Sequence, residues 1–217
     1  MCGRFEVSHL TWSDIQAQLS GFGLPLRKTN LDIIENADVR PTTEQLTVRV
    51  DGEELVAERM RWGLVPFWRS GKPLKDTAKG SDDGFKLTTF NARVETCAGT
   101  STFRDAYAKR RCIVPASSWY EWTGDKGSKI KHRFARADGR AIWFAGMWDR
   151  AETPDAGEVR SFTILTGPSA GHLGDYHDRA PVILEPDEFP TWLDPAQDAK
   201  ALIDAVRPDR FEVARAA

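Results

Sequence analysis

The sequence predicts an α+β fold, with a mostly antiparallel β-sheet or barrel-like core and peripheral helices. Strand-like segments dominate the middle of the chain and helix-like segments lie near its ends, without the regular strand–helix alternation of a parallel sheet. Asp-Gly pairs at Asp51-Gly52 and Asp138-Gly139 each separate two strand-like runs, and such pairs favour the tight turns of antiparallel hairpins. We expect a single domain over residues 1–217.

The individual elements follow from local patterns along the chain. The amphipathic segment from Thr11 to Leu19 predicts a helix, because Ser8 or Thr11 can cap its start and glycines follow its end. Residues 69–86 are polar and rich in glycine, which predicts a long mobile loop. The other predicted strands are 46–50, 55–60, 89–93, 112–115, 119–122, 133–136, 141–148, 161–166 and 211–213, and the other predicted helices are 102–110, 186–193 and 195–206.

Composition indicates an ordinary globular protein. Of the 217 residues, 41% are hydrophobic and 29% are charged, and no apolar run approaches the roughly 20 residues that span a bilayer. The start is too short and polar for a signal peptide, so we expect a cytoplasmic protein and a monomer without a membrane partner. The net charge of −2 argues against a protein that coats nucleic acid, but it permits a local basic groove.

Metal, disulfide and cofactor chemistry find no support in the sequence. The three cysteines, Cys2, Cys97 and Cys112, are an odd number without C-x-x-C spacing, which disfavours a disulfide framework and a zinc site. Dinucleotide-binding, Walker and nucleophile-elbow motifs are also missing from the sequence. We therefore expect no cofactor and no metal.

The second residue is the most informative one. If Met1 is removed, Cys2 carries a free α-amine two carbons from its thiol, and this 1,2-aminothiol can condense with an aldehyde to a thiazolidine. The unperturbed pKa of an α-amine is about 7.7–8.0 and that of a thiol about 8.5, so both are partly nucleophilic at neutral pH. The alternative is that Met1 is retained and Cys2 is an ordinary residue, and the two residues alone favour this alternative.

Two ionisable residues could assist such chemistry. Glu121 lies between aromatic residues in an apolar strand, where burial would raise the pKa of its carboxyl towards values useful for proton transfer. His177 lies in a short polar turn and suits a proton shuttle. Each also has a simpler interpretation, a solvent-facing strand residue for Glu121 and a surface histidine for His177, which the pattern alone favours.

Polar and aromatic residues could contact a polyanion. Asn91 and Arg93 would share one side of an extended segment and could donate to a carbonyl, hydroxyl or phosphate, unless they belong to a solvated edge strand. Trp62 and Trp68 could stack on nucleic-acid bases. The alternative is that these rings pack in the core. Core packing is favoured for Trp62, and the two interpretations are evenly balanced for Trp68.

Taken together, these segments resemble the SRAP family of SOS-response-associated peptidases, or abasic-site processing proteins, in the family's order and over nearly the whole chain. The motifs that carry the resemblance are Met1-Cys2-Gly3-Arg4-Phe5, Arg61-Trp62-Gly63-Leu64-Val65-Pro66-Phe67-Trp68, Asn91-Ala92-Arg93-Val94-Glu95-Thr96, Arg111-Cys112-Ile113-Val114-Pro115 with Trp119-Tyr120-Glu121-Trp122, and His177-Asp178-Arg179-Ala180-Pro181. The chain departs from the family pattern at three positions. Ala180 replaces a methionine, Arg40 precedes Pro41 where the family has alanine, and Phe67 occupies an often small position.

The resemblance implies an enzyme that senses an abasic site in single-stranded DNA and shields it in a covalent thiazolidine crosslink to Cys2. It further implies that the cytoplasmic protein associates with the nucleoid on DNA damage. It also implies weak lyase activity and peptidase-like self-processing that exposes Cys2, although ordinary methionine removal suffices. By resemblance, the catalytic residues would be Cys2, Asn91, Glu121 and His177, and the DNA-binding residues would be Arg4, Pro41, Phe67, Trp68, Arg93 and Arg179.

Two other functions stay open at this point. An amino-terminal-nucleophile amidohydrolase or glutaminase would use the Cys2 thiolate on an amide, with the α-amine as base. A non-catalytic DNA- or protein-binding module would have an incidental Cys2.

Overall fold

A computed structural model describes residues 2–29, 36–75, 88–204 and 207–216, and its strands form two sheets. The strands are β1 (Phe5–Val7), β2 (Leu26–Lys28), β3 (Asn36–Val39), β4 (Glu44–Asp51), β5 (Glu54–Trp62), β6 (Asn91–Arg93), β7 (Arg111–Ala116), β8 (Ser118–Thr123), β9 (Ile130–Arg136), β10 (Ile142–Thr153), β11 (Gly157–Pro168), β12 (Arg179–Pro181) and β13 (Phe211–Arg215). The α-helices are α1 (Trp12–Leu19), α2 (Arg104–Lys109), α3 (Phe189–Leu193) and α4 (Lys200–Asp204). The predicted α+β class is confirmed.

The larger sheet closes into a barrel. Its strands β11, β10, β7, β4 and β5 follow one another through antiparallel pairs, and β5 then pairs in parallel with β11. Two further strands, β6 and β12, attach to β11, and β2 attaches to β5. The mostly antiparallel, barrel-like core is thus confirmed, with the parallel pairs β2–β5, β5–β11 and β6–β11 as exceptions.

The smaller sheet has the order β13-β9-β8-β1-β3 and packs against the barrel through aromatic rings. Phe5 of β1 contacts Trp62 of the barrel with ring centroids 4.9 Å apart, and Phe144 at 5.6 Å. Trp119 of β8 also contacts Phe144 at 6.5 Å. Because aromatic side chains bury large apolar areas, these contacts fix the first residues of the chain against the barrel.

Several predicted elements are confirmed. Thr11 caps α1 through a capping box with Asp14. Asp51-Gly52 forms the turn of the β4–β5 hairpin, where Gly52 has a φ of 62° that glycine adopts readily. The predicted elements at 102–110, 112–115, 119–122, 161–166 and 211–213 correspond to α2, β7, β8, β11 and β13.

The predicted second hairpin is wrong. Strand β9 pairs with β8 and β13, whereas β10 pairs with β7 and β11, so the turn at Asp138-Gly139 leads from one sheet to the other. A left-handed Gly139, with a φ of 71°, permits a tight turn but does not choose the strands that pair. Phe134 of β9 stacks on Trp119, with centroids 4.9 Å apart, and this tertiary contact holds β9 in the smaller sheet.

The carboxyl-terminal helices are shorter than predicted. Residues 186–188 form a 3₁₀ turn before α3 begins at Phe189, and the segment predicted as 195–206 is helical over Lys200–Asp204, with residues 205 and 206 outside the described residues. The Asp194 side chain accepts from the backbone nitrogen of Ala196 at 2.9 Å, a local contact that competes with helix formation.

The segment predicted as a mobile loop begins on the barrel. Gly71 donates to the Glu152 carbonyl at 2.8 Å, and the backbone nitrogens of Leu74 and Lys75 donate to Asp155 at 2.7 and 3.1 Å. Residues 76–86 of the predicted loop lie outside the described residues, so its mobility stays a prediction. None of the described helices is long and apolar enough to cross a bilayer.

Candidate active site

Cys2 is fully buried at the start of β1, and it meets Asn91 there. The Asn91 side-chain nitrogen donates to the Cys2 carbonyl oxygen at 2.6 Å. Burial raises the pKa of the Cys2 thiol far above its usual range, and the nearby negative charge of Glu121 adds to this rise. The positive amino terminus acts in the opposite direction. In the chain that still carries Met1, the thiol is therefore held in its neutral form.

Asn91 begins β6 and is positioned by two neighbouring strands, β11 and β5. Strand β6 pairs in parallel with β11, which places Asn91 opposite Ile164, and the indole nitrogen of Trp62 donates to the Phe90 carbonyl at 2.8 Å. Asn91 is 8% exposed, and its side-chain oxygen has no hydrogen-bond partner within the described part of the chain. A buried acceptor of this kind is available to a ligand or to a new amino group.

Glu121 lies on β8 and is buried, with 4% exposure. Burial raises the pKa of its carboxyl to about 7, the positive amino terminus lowers it, and the negative charge of Asp178 raises it. A carboxyl with this pKa exchanges protons readily at neutral pH. The buried interpretation of Glu121 is therefore correct, and the solvent-facing one is wrong.

His177 follows a 3₁₀ turn at Gly171–Asp175 and is partly buried. Its Nδ1 lies 2.9 Å from the backbone nitrogen of Arg179 and 2.8 Å from an Asp178 carboxylate oxygen. Burial lowers the pKa of His177, the amino-terminal charge lowers it further, and Asp178 raises it. The neutral ring is therefore favoured, with Nδ1 accepting from Arg179 and the proton on Nε2.

The four predicted catalytic residues come together around the amino terminus. Asn91 bonds to Cys2, the charge of Glu121 acts on the Cys2 thiol, and Glu121 and His177 both respond to the amino-terminal charge and to Asp178. Their catalytic roles stay predictions. Within the described residues, no group of three or more His, Cys, Asp or Glu side chains could hold a metal.

The predicted DNA-binding arginines differ in their surroundings. Arg93 is exposed, whereas Arg4 pairs with Asp38 and lies over the Trp122 ring at 5.8 Å. Arg179 is 9% exposed, because its guanidinium pairs with Glu95 and also donates to the carbonyl of Thr166. Its guanidinium is thus engaged inside the protein, and phosphate binding by Arg179 stays a prediction.

The predicted aromatic contacts lie at the surface. Phe67 is 49% and Trp68 39% exposed, and together they line an open cleft of about 480 Å³ that Arg104 also borders. Trp62 is fully buried, which confirms the core interpretation for that residue. Pro41 is partly exposed in the turn before β4. DNA binding by Pro41, Phe67 and Trp68 stays a prediction.

Sequence reasoning missed the contribution of Asp178, which acts on both ionisable side chains of the site. The acidic residue directly after His177 was the available signal, because adjacent charges shift the pKa of histidine and carboxyl groups. Sequence reasoning also missed Asp38, whose carboxylate pairs with Arg4 and Arg40.

Comparison with known proteins identifies the family. The family model described as "SOS response associated peptidase (SRAP)" matches residues 1–216. The chain belongs to the SRAP family. Among SRAP relatives, abasic site processing protein YoqW of Bacillus subtilis (strain 168) is 32% identical over 196 residues, which cover 90% of this chain and 81% of the relative. Abasic site processing protein YedK of Escherichia coli (strain K12) is 29% identical over 202 residues, covering 89% and 79% respectively.

Two further proteins are similar to this chain, one in sequence and one in fold. Abasic site processing protein HMCES of Xenopus tropicalis is 30% identical over 195 residues, which cover 79% of this SRAP chain and 56% of HMCES. A crystal structure of a protein from Bordetella bronchiseptica superposes with a TM-score of 0.78 at 28% identity and covers 100% of both chains. The SRAP fold is thus shared over the full chain.

Proposed function

We propose that this SRAP-family protein captures abasic sites in single-stranded DNA through Cys2 after removal of Met1. The observation that carries the proposal is the cluster of Cys2, Asn91, Glu121 and His177, in which burial brings the pKa of Glu121 to about 7. Its SRAP relatives are named abasic site processing proteins. An abasic site in its ring-opened form offers an aldehyde, which is the partner that a 1,2-aminothiol requires.

The first step forms an imine. The neutral Cys2 α-amine attacks the sugar C1′, and Asn91 orients the terminus through the Cys2 carbonyl. One amine proton passes to the former carbonyl oxygen, and protonated Glu121 then gives its proton to the resulting hydroxyl, which leaves as water. The Glu121 carboxylate takes the remaining proton from the iminium nitrogen, so a C=N bond replaces the C=O bond and Glu121 is restored. Nε2–H of His177 donates to the sugar oxygen as the ring opens. The raised pKa of the Cys2 thiol is compatible with this order, because the amine reacts before the sulfur.

The second step closes the ring. The sulfur bonds to C1′ and the imine nitrogen receives the thiol proton, so the sum of both steps is the loss of one water. Because nitrogen and sulfur belong to one residue, the step is intramolecular, and effective molarities in such reactions reach about 10⁵ M or more. The same imine permits β-elimination when a base removes a C2′ proton and the 3′ phosphate leaves, which would give weak lyase activity.

Burial of Cys2 has a direct consequence for activation. Removing Met1 converts the Cys2 peptide nitrogen into an α-amine and takes one residue away from the site. The exposure of Cys2, by self-processing or by ordinary methionine removal, would therefore switch the protein on. The amidohydrolase alternative would use the Cys2 thiolate on an amide, and glutaminase activity without a DNA adduct would favour it.

The proposal is tested on a denaturing gel with protein whose intact mass confirms loss of Met1. We expect a shifted band with single-stranded DNA that contains one abasic site, and none with undamaged DNA or with a tetrahydrofuran analogue that lacks the aldehyde. Cys2→Ala should abolish the band. Cys97→Ala is the matched control, since Cys97 is also a buried free cysteine with a pKa raised by burial to about 11. Verified Met1-free protein that gives no band rejects the proposal.

A further inference from the structure

The turn that precedes β4 places a second guanidinium beside Arg4. Arg4 binds one carboxylate oxygen of Asp38 through Nε, and Arg40 binds the other oxygen through Nε at 2.9 Å and Nη2 at 2.6 Å. Two positive side chains thus share a single negative one. The three side chains together carry one net positive charge.

Arg40 is the exposed member of this cluster. Its side chain is 61% exposed, compared with 25% for Arg4 and 35% for Asp38. A guanidinium has five N–H donors in a planar fork, and Asp38 takes two of those of Arg40. The remaining edge faces solvent, where it can donate to a further anion.

The backbone that carries Arg40 is held firmly. The backbone nitrogen and the hydroxyl of Thr43 both donate to the Arg40 carbonyl, at 3.2 and 2.8 Å. Thr42 donates to the Trp62 carbonyl at 2.7 Å, and Trp62 donates back to Thr43 at 2.9 Å. Thr42 has a φ of 80°, which is costly for a β-branched residue. Such conformations persist where the surroundings fix them, and they concentrate at ligand-binding sites.

The same contacts place Arg40 beside the amino-terminal site. The ring of Trp62 donates to the Phe90 carbonyl, and the next residue, Asn91, bonds to Cys2. Arg4 follows Cys2 by two residues, which span at most about 7 Å when extended. The Arg4–Asp38–Arg40 cluster therefore lies close to Cys2.

We propose that Arg40, together with Arg4, binds a backbone phosphate of the single strand next to the abasic site. This inference rests on the proposed function and deepens it. Planar guanidinium groups match phosphate oxygens in a bidentate manner, and the shared Asp38 orients both groups while it reduces their mutual repulsion. The guanidinium of Arg179 already binds Glu95 inside the protein, so Arg40 supplies a charge that Arg179 does not.

The test is an equilibrium titration by fluorescence anisotropy at several salt concentrations. The probe is a single-stranded oligonucleotide with one tetrahydrofuran residue, which lacks the aldehyde and cannot be crosslinked. Arg40→Ala should raise the Kd roughly threefold to tenfold at low salt and reduce the slope of log K against log salt by about 0.7, the loss of one phosphate contact.

Arg27→Ala is the control. Arg27 lies on β2, is 46% exposed and pairs with Asp51 and Glu54 of the β4–β5 hairpin. The Arg27→Ala substitution therefore removes the same charge from an exposed ion pair elsewhere. Its Kd and salt slope should equal those of the unmodified chain. Equal effects of Arg40→Ala and Arg27→Ala, or no effect of Arg40→Ala, would overturn the phosphate site.

The two proposals fail in different ways. A chain that crosslinks an abasic site but binds the analogue independently of Arg40 refutes the phosphate site and keeps the proposed function. A chain that binds the analogue in an Arg40-dependent manner but forms no denaturation-resistant adduct keeps the phosphate site and refutes the crosslink.

Discussion

Two glutamates in the smaller sheet have opposite pKa shifts although both are shielded from solvent. Glu6 lies on β1 and Glu121 on the adjacent β8. Side chains alternate along a strand, so Ser118 and Tyr120 lie on one face of β8 and Glu121 on the other. Because Ser118 and Tyr120 donate to Glu6, the two glutamates lie on opposite faces of the sheet. Burial acts to raise the pKa of both carboxyls. That of Glu6 is nevertheless lowered to about 2, whereas that of Glu121 is raised to about 7.

The difference comes from the donors around each carboxylate. Hydrogen bonds from Ser8, Tyr120, Ser118 and Arg133 stabilise the charged form of Glu6 and outweigh its burial. At Glu121, burial is opposed by the charge of the amino terminus, and Asp178 adds to the rise. One face of the sheet thus holds a permanently charged structural carboxylate, and the other holds one that can take up and release protons. Burial alone does not identify a catalytic carboxyl.

The largest expected effect is a difference in crosslinking rate between the Glu121 and Glu6 variants. Glu121→Gln should slow crosslinking by about 10²- to 10⁴-fold, because a proton donor and acceptor is lost from the imine-forming step. Glu6→Gln should leave the rate nearly unchanged. Single-turnover crosslinking kinetics on denaturing gels measure both variants, and equal rates for Glu6→Gln and Glu121→Gln would remove the functional distinction.

The dependence of stability on pH should also run in opposite directions. The folded-state pKa of Glu6 lies below its ordinary value of 4.5, so its stabilisation is present above pH 4.5 and is lost as the pH falls through about 2. The folded-state pKa of Glu121 lies above that value, so its stabilisation is complete below pH 4.5 and is lost as the pH rises through about 7. One pKa unit corresponds to about 1.4 kcal/mol, so the Glu121 contribution is on the order of 3 kcal/mol, and solvent screening makes that of the less buried Glu6 smaller.

Urea unfolding of the two Gln variants over this pH range checks the signs. Glu121→Gln should be more stable than the unmodified chain at pH 8, because no buried charge must form, and Glu6→Gln should be less stable there. A loss of stability in Glu121→Gln at pH 8 would contradict the burial argument.

Removing a single hydrogen-bond donor to Glu6 should have a smaller effect. Tyr120→Phe removes the hydroxyl that donates to Glu6, which should raise the pKa of Glu6 and cost about 1 kcal/mol of stability while the crosslinking rate stays unchanged. Thermal unfolding and the gel assay measure these two quantities. A slower crosslinking reaction at unchanged stability would show that the face of the smaller sheet that carries Glu6 contributes to the chemistry.

The smallest expected effect is a shift of the pH–rate profile. Asp178 raises the pKa of both Glu121 and His177, so Asp178→Asn should move the profile to lower pH. The Asp178 side chain is 84% exposed, and solvent screening keeps the shift small. Asp125→Asn, at an exposed position outside the site, is the control and should leave the profile in place. A shift to higher pH would reverse the assigned sign.

The sequence predicted elements whose signals are local. Thr11 was a predicted cap for the start of α1, and Asp51-Gly52 indicated the first hairpin. The same Asp-Gly signal predicted the wrong strand pairing at Asp138-Gly139. The partners of β9 and β10 depend on contacts with residues outside the turn, such as the stacking of Phe134 on Trp119. The short strands β1, β2, β3 and β12 have three or four residues each and too little periodicity to be found.

The candidate site was predicted from resemblance rather than from spacing. Asn91 lies 89 positions from Cys2 in sequence, and nothing local indicates that its amide reaches the Cys2 carbonyl. Residue type suggested that the pKa of Glu121 could rise, but the sign of the shift depends on neighbours supplied by other strands. The pairing of Arg179 with Glu95 was equally hidden, because it needs both β6 and β12 to pair with β11.

The most direct test of the proposed chemistry is mass spectrometry of the crosslink after nuclease and protease digestion, with and without borohydride. We predict an adduct on the peptide that begins with Cys2, with a mass equal to peptide plus sugar fragment minus one water, and unchanged by borohydride because a thiazolidine has no C=N bond. An adduct on a lysine or an internal cysteine, or a Cys2 adduct that gains two hydrogens on reduction, would contradict it.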